Sequence, residues 1–312
     1  MSEQIYDVVI IGGGPAGYSS ALYCARAGLQ TIVLEQLSAG GQMTLTEIIE
    51  NYPGFDEGID GFTLGDQMQQ QAEKFGAESE LTSVTSVELN GDIKVVHTSD
   101  AGDYETRCVV IATGANARPL GLPNEAALAD KGIHYCAACD GMRFKGKTVA
   151  LVGGGNTALE DALLLSRLCK KVYLIHRRDQ YRAEKFYADA VAEAENIEPV
   201  LNSVVESVDV EGGFKGVTVK DVKTGETRFL ESEALFVSVG RVPNTGFLNG
   251  AVAVDGSGYI EADETTRTSV PGVFAVGDIR TKPMRQVVTA AADGAVSSMF
   301  AQQYIEESKA KG

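Results

Sequence analysis

Short β-branched runs alternate along this chain with longer stretches whose apolar residues recur at helical spacing, and the alternation is itself repeated. Asp7-Val8-Val9-Ile10-Ile11 has the continuous apolar pattern of a strand buried on both faces. It runs into Gly12-Gly13-Gly14-Pro15-Ala16-Gly17, after which Tyr18 to Ala27 reads as a helix closed by Gly28. Thr31-Ile32-Val33-Leu34 is a second strand ending at Glu35, so the three elements form a βαβ unit. The same order returns at Thr148–Val152, Gly153-Gly154-Gly155-Asn156-Thr157-Ala158, a helix through Leu163-Leu164-Leu165, and Val172-Tyr173-Leu174-Ile175.

Each unit is followed later by a strand that ends in small residues, Val109–Gly114 and Leu235–Gly240. Pro-containing stretches come next, Asn116–Pro123 and Arg241–Asn244, and read as crossings between modules. Segments 77–107 and 203–232 alternate polar and apolar residues around turn signals at Asn90-Gly91 and Thr224-Gly225, the pattern of antiparallel meanders. The expected fold is α/β, with two Rossmann-like modules, each a parallel sheet with helices plus a meander. The tail after residue 245 carries no Gly-rich fingerprint, and its pattern does not say which module it joins.

Both Gly-rich segments follow a strand and open a helix, the context in which such a loop binds a dinucleotide. The glycines permit a tight turn and close backbone approach, and the helix N-terminus then faces the pyrophosphate. Gly12, Gly14, Pro15, Ala16 and Gly17 form the first loop; Gly153, Gly155, Asn156 and Thr157 form the second, with Ala158 in place of the third glycine. The end of the second strand separates the two. Glu35, 23 residues after Gly12, is placed to accept hydrogen bonds from ribose hydroxyls, which suits FAD or NAD. The equivalent position after Gly153 is His176, followed by Arg177, Arg178 and Arg182, and cations there suit the 2′-phosphate of NADPH.

Composition narrows the partners. A chain of 312 residues suggests two domains, and 44% hydrophobic content excludes disorder. The net charge of −16 argues against nucleic acid or an anionic membrane as partner. No apolar run approaches the length of a bilayer span, and the first residues lack the pattern of a secretory signal. Five cysteines, an odd number, fit a reducing cytoplasm better than a disulfide framework.

Two of those cysteines stand out. Cys136-Ala137-Ala138-Cys139-Asp140 precedes the second module and has the spacing of a redox-active dithiol, with Asp140 placed to shuttle a proton. A metal site of Cys136, Cys139 and His134 is an alternative, although no second pair of ligands is present at usable spacing. Two core cysteines of no special role are the other alternative, the simplest reading of Cys24, Cys108 and Cys169. Two dinucleotide sites and one dithiol imply an electron path from nicotinamide through an isoalloxazine to the disulfide, completed by exchange with an external disulfide. No resident metal is expected.

With these motifs together, the chain resembles the low-molecular-weight, bacterial-type thioredoxin reductases over nearly its full length. The matching segments are Gly12–Gly17, Gly40-Gly41-Gln42, Glu50–Gly54, Ala112-Thr113-Gly114, Cys136–Gly141, Gly153–Ala158, His176–Asp179, Gly272–Asp278 and Arg285-Gln286. Ala137-Ala138 departs from the Ala-Thr of many members. The resemblance implies that the tail returns to the first module. An FAD-binding domain of 1–115 and 246–312 then encloses an NADPH-binding domain of 116–245 that carries the Cys pair. It further implies FAD contacts by Gly41, Gln42, Asn51, Thr113, Gly114, Asp278, Arg285, Gln286 and Val287, with a helix after Gln286 pointing its N-terminus at the flavin. The implied enzyme is a cytoplasmic homodimer reducing thioredoxin, with domain rotation about 116–119 and 241–245; the sequence does not settle which cysteine faces the flavin, and Cys139 is the favoured one. A reductase of another small redoxin and an oxygen-dependent dithiol oxidase are the rival functions.

Overall fold

A computed structural model describes residues 4–311. The chain divides into two compact units, Met1–Asn116 with Val242–Gly312, and Ala117–Arg241. The first begins with β1 (Ile5–Ile11), α1 (Pro15–Arg26), β2 (Thr31–Glu35), α2 (Gly61–Glu73), β3 (Glu78–Leu81), β4 (Val84–Glu88), β5 (Lys94–Thr98) and β6 (Asp103–Ile111). Pro15 opens α1, where its missing N–H costs nothing, and Gly28 follows the helix at φ +78°. The strand order is β3-β2-β1-β6-β5-β4. Strands β3, β2, β1 and β6 run parallel, whereas β5 and β4 return antiparallel. The expected meander thus loses its first strand, because Glu78–Leu81 pairs in parallel with Ile32–Glu35 and extends the dinucleotide-type sheet.

A short strand β7 (Ala115–Ala117) leads out of this unit. The second unit contains β8 (Ile133–His134), a one-turn helix α3 (Ala137–Asp140), β9 (Thr148–Gly153), α4 (Asn156–Leu168), β10 (Lys171–Ile175), α5 (Lys185–Glu193) and β11 (Ile197–Val200). It continues through β12 (Ser203–Asp209), β13 (Gly216–Asp221), β14 (Thr227–Glu231) and β15 (Leu235–Ser238). One sheet is parallel, in the order β11-β10-β9-β15-β8, and β12-β13-β14 form the expected antiparallel meander. Val149, Leu151, Val172, Leu174 and Phe236 pack beneath Leu159, Ala162 and Leu165 of α4. Ala150, Val152, Leu235 and Val237 face the meander through Val217, Val219 and Leu230. Both faces being covered explains why these strands read as unbroken apolar runs.

The chain leaves through β16 (Arg241–Pro243), which pairs with β7. It then adds β17 (Val273–Ala275) to β6 in parallel and ends in α6 (Val287–Lys311). The tail therefore belongs to the first unit. Helix α6 lies against α1 closely enough that the Ser20 and Ser297 hydroxyls meet at 3.0 Å and Ser19 donates to the Ala291 carbonyl at 2.7 Å. Val8, Ile10, Val33, Cys108 and Val110 fill the space between the sheet and these helices. On the other face Val9, Ile11, Ile32, Leu34 and Ile111 meet Leu248, Val252, Ile260 and Ile279 from the tail.

Candidate functional site

In the first unit the loop between β1 and α1 is shaped by glycine. Gly12 has φ +106°, and a Cβ there would lie 2.6 Å from the Ala112 carbonyl oxygen. A Cβ on Gly17 would fall 1.9 Å from the Gly12 oxygen, so the helix can start this close to the strand only with glycine. Glu35, at the end of β2, accepts from the Gly13 N–H at 2.5 Å, the Gln36 N–H at 2.8 Å and the Leu37 N–H at 3.1 Å. The Gly40 N–H donates to the Gly13 carbonyl at 2.8 Å, and this seats Gly41 against Gly14.

Other expected groups gather at the C-terminal ends of the same strands. Thr113 Oγ1 donates to the Asn244 carbonyl at 3.0 Å and Asn244 Nδ2 to the Thr113 carbonyl at 2.8 Å. Gln42 Nε2 donates to Asn116 Oδ1 at 3.0 Å, and Asn51 Nδ2 to Gln286 Oε1 at 3.0 Å. The Arg285 guanidinium lies 4.0 Å from the Tyr259 ring centroid and donates to the carbonyls of Asp278 and Arg280. Val287 is the first residue of α6.

Sequence reasoning overlooked what holds the Gly277-Asp278 segment. Asp293, inside α6, accepts from the Gly277 N–H, from Arg280 Nε and from Lys282 Nζ at 2.8–2.9 Å. A second bond joins Arg280 Nη2 to Asp293 Oδ1 at 2.8 Å, and all three side chains are buried. Burial opposes ionisation of Asp293, yet the two cations and the amide hold its carboxyl below the usual range. The signal in the sequence was a single acid amid the small apolar residues of Val287–Ala295. Asn244 gave no comparable signal, since it lay in a stretch read as a crossing.

In the second unit the β9–α4 loop is built alike but braced differently. His176 is buried, and its ring fills the place of a Gly154 side chain: a Cβ there would lie 2.2 Å from the imidazole. Its Nε2–H donates to the Gln180 carbonyl at 3.1 Å. Burial, helped by the neighbouring arginines, lowers its pKa, so the ring is neutral at pH 7 and supplies no charge. The charge comes from Arg177, Arg178 and Arg182, all exposed, with no guanidinium partner among the described residues. The Arg182 N–H donates to the Gly154 carbonyl at 2.7 Å and so ties this cluster to the loop. Asn156 pairs with Glu184, donating to its Oε1 at 3.1 Å and accepting from its N–H at 2.8 Å, while Thr157 is exposed on the first turn of α4.

The third glycine of each triplet bears on whether these loops fit a dinucleotide. Gly14 and Gly155 have φ of −77° and −97°, open to any residue, and a Cβ on either would meet nothing within 4 Å. Internal packing thus requires glycine at neither place. Each precedes a helix whose first turn has no side-chain cap, and a pyrophosphate there accounts for both observations.

Cys136 and Cys139 form a disulfide with S–S 2.08 Å, and both are half-buried. Cys136 caps α3, its sulfur accepting from the Cys139 N–H at 3.2 Å. His134 serves neither sulfur; its Nδ1–H donates to Asp140 Oδ2 at 3.1 Å. The remaining cysteines are buried thiols pushed up to about 12 for Cys24 and Cys108 and about 11 for Cys169, which keeps them protonated and inert.

Residues 6–294 match the family model described as pyridine nucleotide-disulphide oxidoreductase. The chain belongs to this family. It is an oxidoreductase whose cofactors are FAD and NADPH. A Streptomyces clavuligerus thioredoxin reductase is 44% identical, over 97% of this chain and 95% of that protein. A Bacillus subtilis thioredoxin reductase is 40% identical, over 98% and 96%. The crystal structure of Streptococcus pyogenes thioredoxin reductase matches with TM-score 0.92 at 41% identity, covering 98% of this chain and all of that one. Lactococcus lactis thioredoxin reductase in its FR conformation matches with TM-score 0.67 at 40% identity, over 97% and 99%. Among the described residues no helix is long and apolar enough to cross a membrane.

Proposed function

We propose that the chain reduces thioredoxin with NADPH, using Cys136 and Cys139 as the dithiol that meets the protein substrate. The observation that carries this is the half-buried Cys136–Cys139 disulfide, one residue before a buried carboxyl, in the unit whose Gly-rich loop is flanked by three exposed arginines. The names of the full-length relatives support the choice of substrate.

FAD, when bound, accepts hydride from NADPH and returns the electron pair to a disulfide. The residues 1–115 and 246–312 hold it. The Gly12–Gly17 loop takes the pyrophosphate and Glu35 a ribose hydroxyl, while Gln42, Asn51, Thr113, Gly114, Asp278, Arg285 and Gln286 line the remainder. Residues 116–245 hold NADPH, with Gly153–Thr157 on its pyrophosphate and Arg177, Arg178 and Arg182 on its 2′-phosphate. Reduction of the disulfide by two electrons and one proton leaves one thiolate and one thiol. The Cys139 N–H that points at Cys136 Sγ favours the thiolate there, so Cys136 attacks the substrate disulfide and Cys139 faces the flavin. Cys139 then resolves the mixed disulfide, and Asp140 carries the proton each exchange requires. The same sulfur pair must serve an electron donor and a protein acceptor in turn, which assigns the crossings at 116–119 and 241–245 the role of hinges. A cytoplasmic homodimer, as the resemblance implies, completes the reading.

Anaerobic titration tests it. NADPH bleaches the flavin with much greater affinity than NADH, and wild-type protein then reduces oxidised thioredoxin. Cys136→Ser bleaches yet leaves thioredoxin oxidised; normal thioredoxin reduction by that variant would overturn the proposal.

A further inference from the structure

His134 lies two residues before the dithiol, and its side chain is almost wholly buried, at 1% exposure. It is the last residue of β8, and pairing of that strand with β15 sets it beside Phe236, ring centroids 5.3 Å apart. Phe144, from the turn after α3, closes the other side edge-on at 5.0 Å. Held between two aromatic rings, the imidazole has little freedom to rotate. Its Nδ1 lies 3.1 Å from Asp140 Oδ2 and 3.6 Å from Asp130 Oδ1. Arg143 is the other charge in the group, with Nη1 2.6 Å from Asp130 Oδ1 and 3.9 Å from Asp140 Oδ1.

The division of partners is informative. Asp130 is taken by Arg143, so the short imidazole bond goes to Asp140, the residue that follows Cys139. A carboxyl at the end of a one-turn helix has several rotamers available, and a bond from a clamped donor selects one of them.

We infer that His134 is the positioning residue for Asp140, fixing the orientation of the carboxyl that exchanges protons with the dithiol. This rests on the proton-carrying role proposed above for Asp140. Only a proton passes through Asp140: it supplies the one proton taken up in the two-electron reduction of the disulfide and recovers it as the thiol is reoxidised. The imidazole keeps its own Nδ1–H throughout.

The test uses the FAD-loaded protein with three variants. His134→Phe removes the donor and keeps a ring in the aromatic slot, His134→Asn restores an N–H near the Nδ1 position, and Asp140→Asn removes the carboxyl. Flavin bleaching by NADPH reports on folding and on the first half-reaction, and is unchanged in His134→Phe and His134→Asn. With His134→Phe, thioredoxin reduction at neutral pH falls roughly tenfold, within the range for impaired proton transfer. In His134→Phe the limb of the pH–rate profile that disappears in Asp140→Asn is displaced from its wild-type position, because the carboxyl has lost the donor that orients it. The alkylation rate of the reduced dithiol against pH moves with it. His134→Asn recovers the rate to within about threefold of wild type, and His134→Phe adds no further loss to Asp140→Asn. Should the limb stay in place, Asn fail to rescue, or Phe impair the Asp140→Asn background equally, His134 acts elsewhere and the inference fails alone. Full activity with an unaltered pH profile in Asp140→Asn would overturn the role of Asp140 and the inference with it.

Discussion

The buried ionic cluster around Asp293 offers the sharpest test of how the Gly277-Asp278 segment, proposed to line the flavin, is held. Replacing Asp293 by Ala removes one carboxylate that accepts from Gly277 N–H, Arg280 and Lys282, and strands two cations that are 3% and 4% exposed. Breaking one buried pair by deleting a partner costs about 3–5 kcal/mol, because the remaining charge stays out of water. Relaxation of Lys282 toward solvent would relieve part of the second cation's cost, so the lower half of that range is the minimum expected. Against a total stability of about 5–15 kcal/mol this is large, and at about 2–4 °C per kcal/mol it lowers the melting temperature by roughly 6–20 °C. The loss falls on the segment bearing Gly277 and Asp278, so retained FAD drops before the first unit unfolds. Urea titration followed by circular dichroism gives the stability, and absorbance of desalted protein gives the flavin content. The sign with pH is fixed as well. The folded carboxyl titrates below its unfolded value, so its stabilisation is full above about pH 4 and disappears as pH falls through the folded pKa. The gap between wild type and Asp293→Asn therefore narrows on acidification below about pH 4. A destabilisation under 1 kcal/mol with full flavin retention would falsify this account of the cluster.

Three further outcomes are expected. Cys139→Ser, like Cys136→Ser, should keep FAD and NADPH-driven bleaching while lowering steady-state thioredoxin reduction by at least about 10³-fold, measured with an insulin-coupled or direct thiol assay. Arg177→Ala and Arg178→Ala should each raise KM for NADPH by roughly 10–100-fold, the worth of a charge-assisted hydrogen bond, and leave KM for NADH within about twofold. Equal effects on both nucleotides would remove these residues from the 2′-phosphate. Asp161, whose carboxyl burial pushes up to about 6, favours the folded state fully below about pH 4 and loses that contribution as pH rises through 6. Asp161→Asn should accordingly be about 2 kcal/mol more stable than wild type at pH 8 and no more stable at pH 3.5, as read by denaturant melts.

The features legible in the sequence are those fixed by neighbours along the chain. A strand, a Gly-rich turn and a helix lie within about twenty residues of one another, and the steric need for glycine at positions 12 and 17 arises inside that span. The dithiol was legible for the same reason, since two intervening residues suffice to close it. Glu78-Ser79-Glu80-Leu81 was assigned to the meander because it lies in the stretch 77–107, which alternates polar and apolar residues around a turn signal. Its place at the sheet edge depends on β2, more than forty residues earlier, which no local pattern records. The tail posed the same difficulty: β17 is three residues long, and its partner β6 is far away in sequence. Asp293 and His134 were misjudged or missed because their roles depend on partners that only folding brings together.

His176 shows how a correct register can mislead about chemistry. Counting from the first glycine of each loop brings Glu35 and His176 to equivalent places, and the structure gives both a common task. Each presses on the middle glycine of its triplet, Glu35 by accepting from Gly13 N–H and His176 by stacking into the space a Gly154 side chain would need. The carboxylate still has acceptor capacity after three backbone bonds, so one residue can brace the loop and take a ribose hydroxyl. The imidazole has spent its Nε2–H on the Gln180 carbonyl, and burial lowers its pKa, so in the unliganded chain it braces the loop as a neutral ring. The proposed recognition of the 2′-phosphate therefore rests on Arg177 and Arg178, exposed just past the end of β10, and on Arg182, whose backbone is bonded to Gly154 itself. An anion held there by two of these arginines would gain about 3–6 kcal/mol, enough for a preference of about 10²–10⁴ for the phosphorylated nucleotide without any contribution from the histidine.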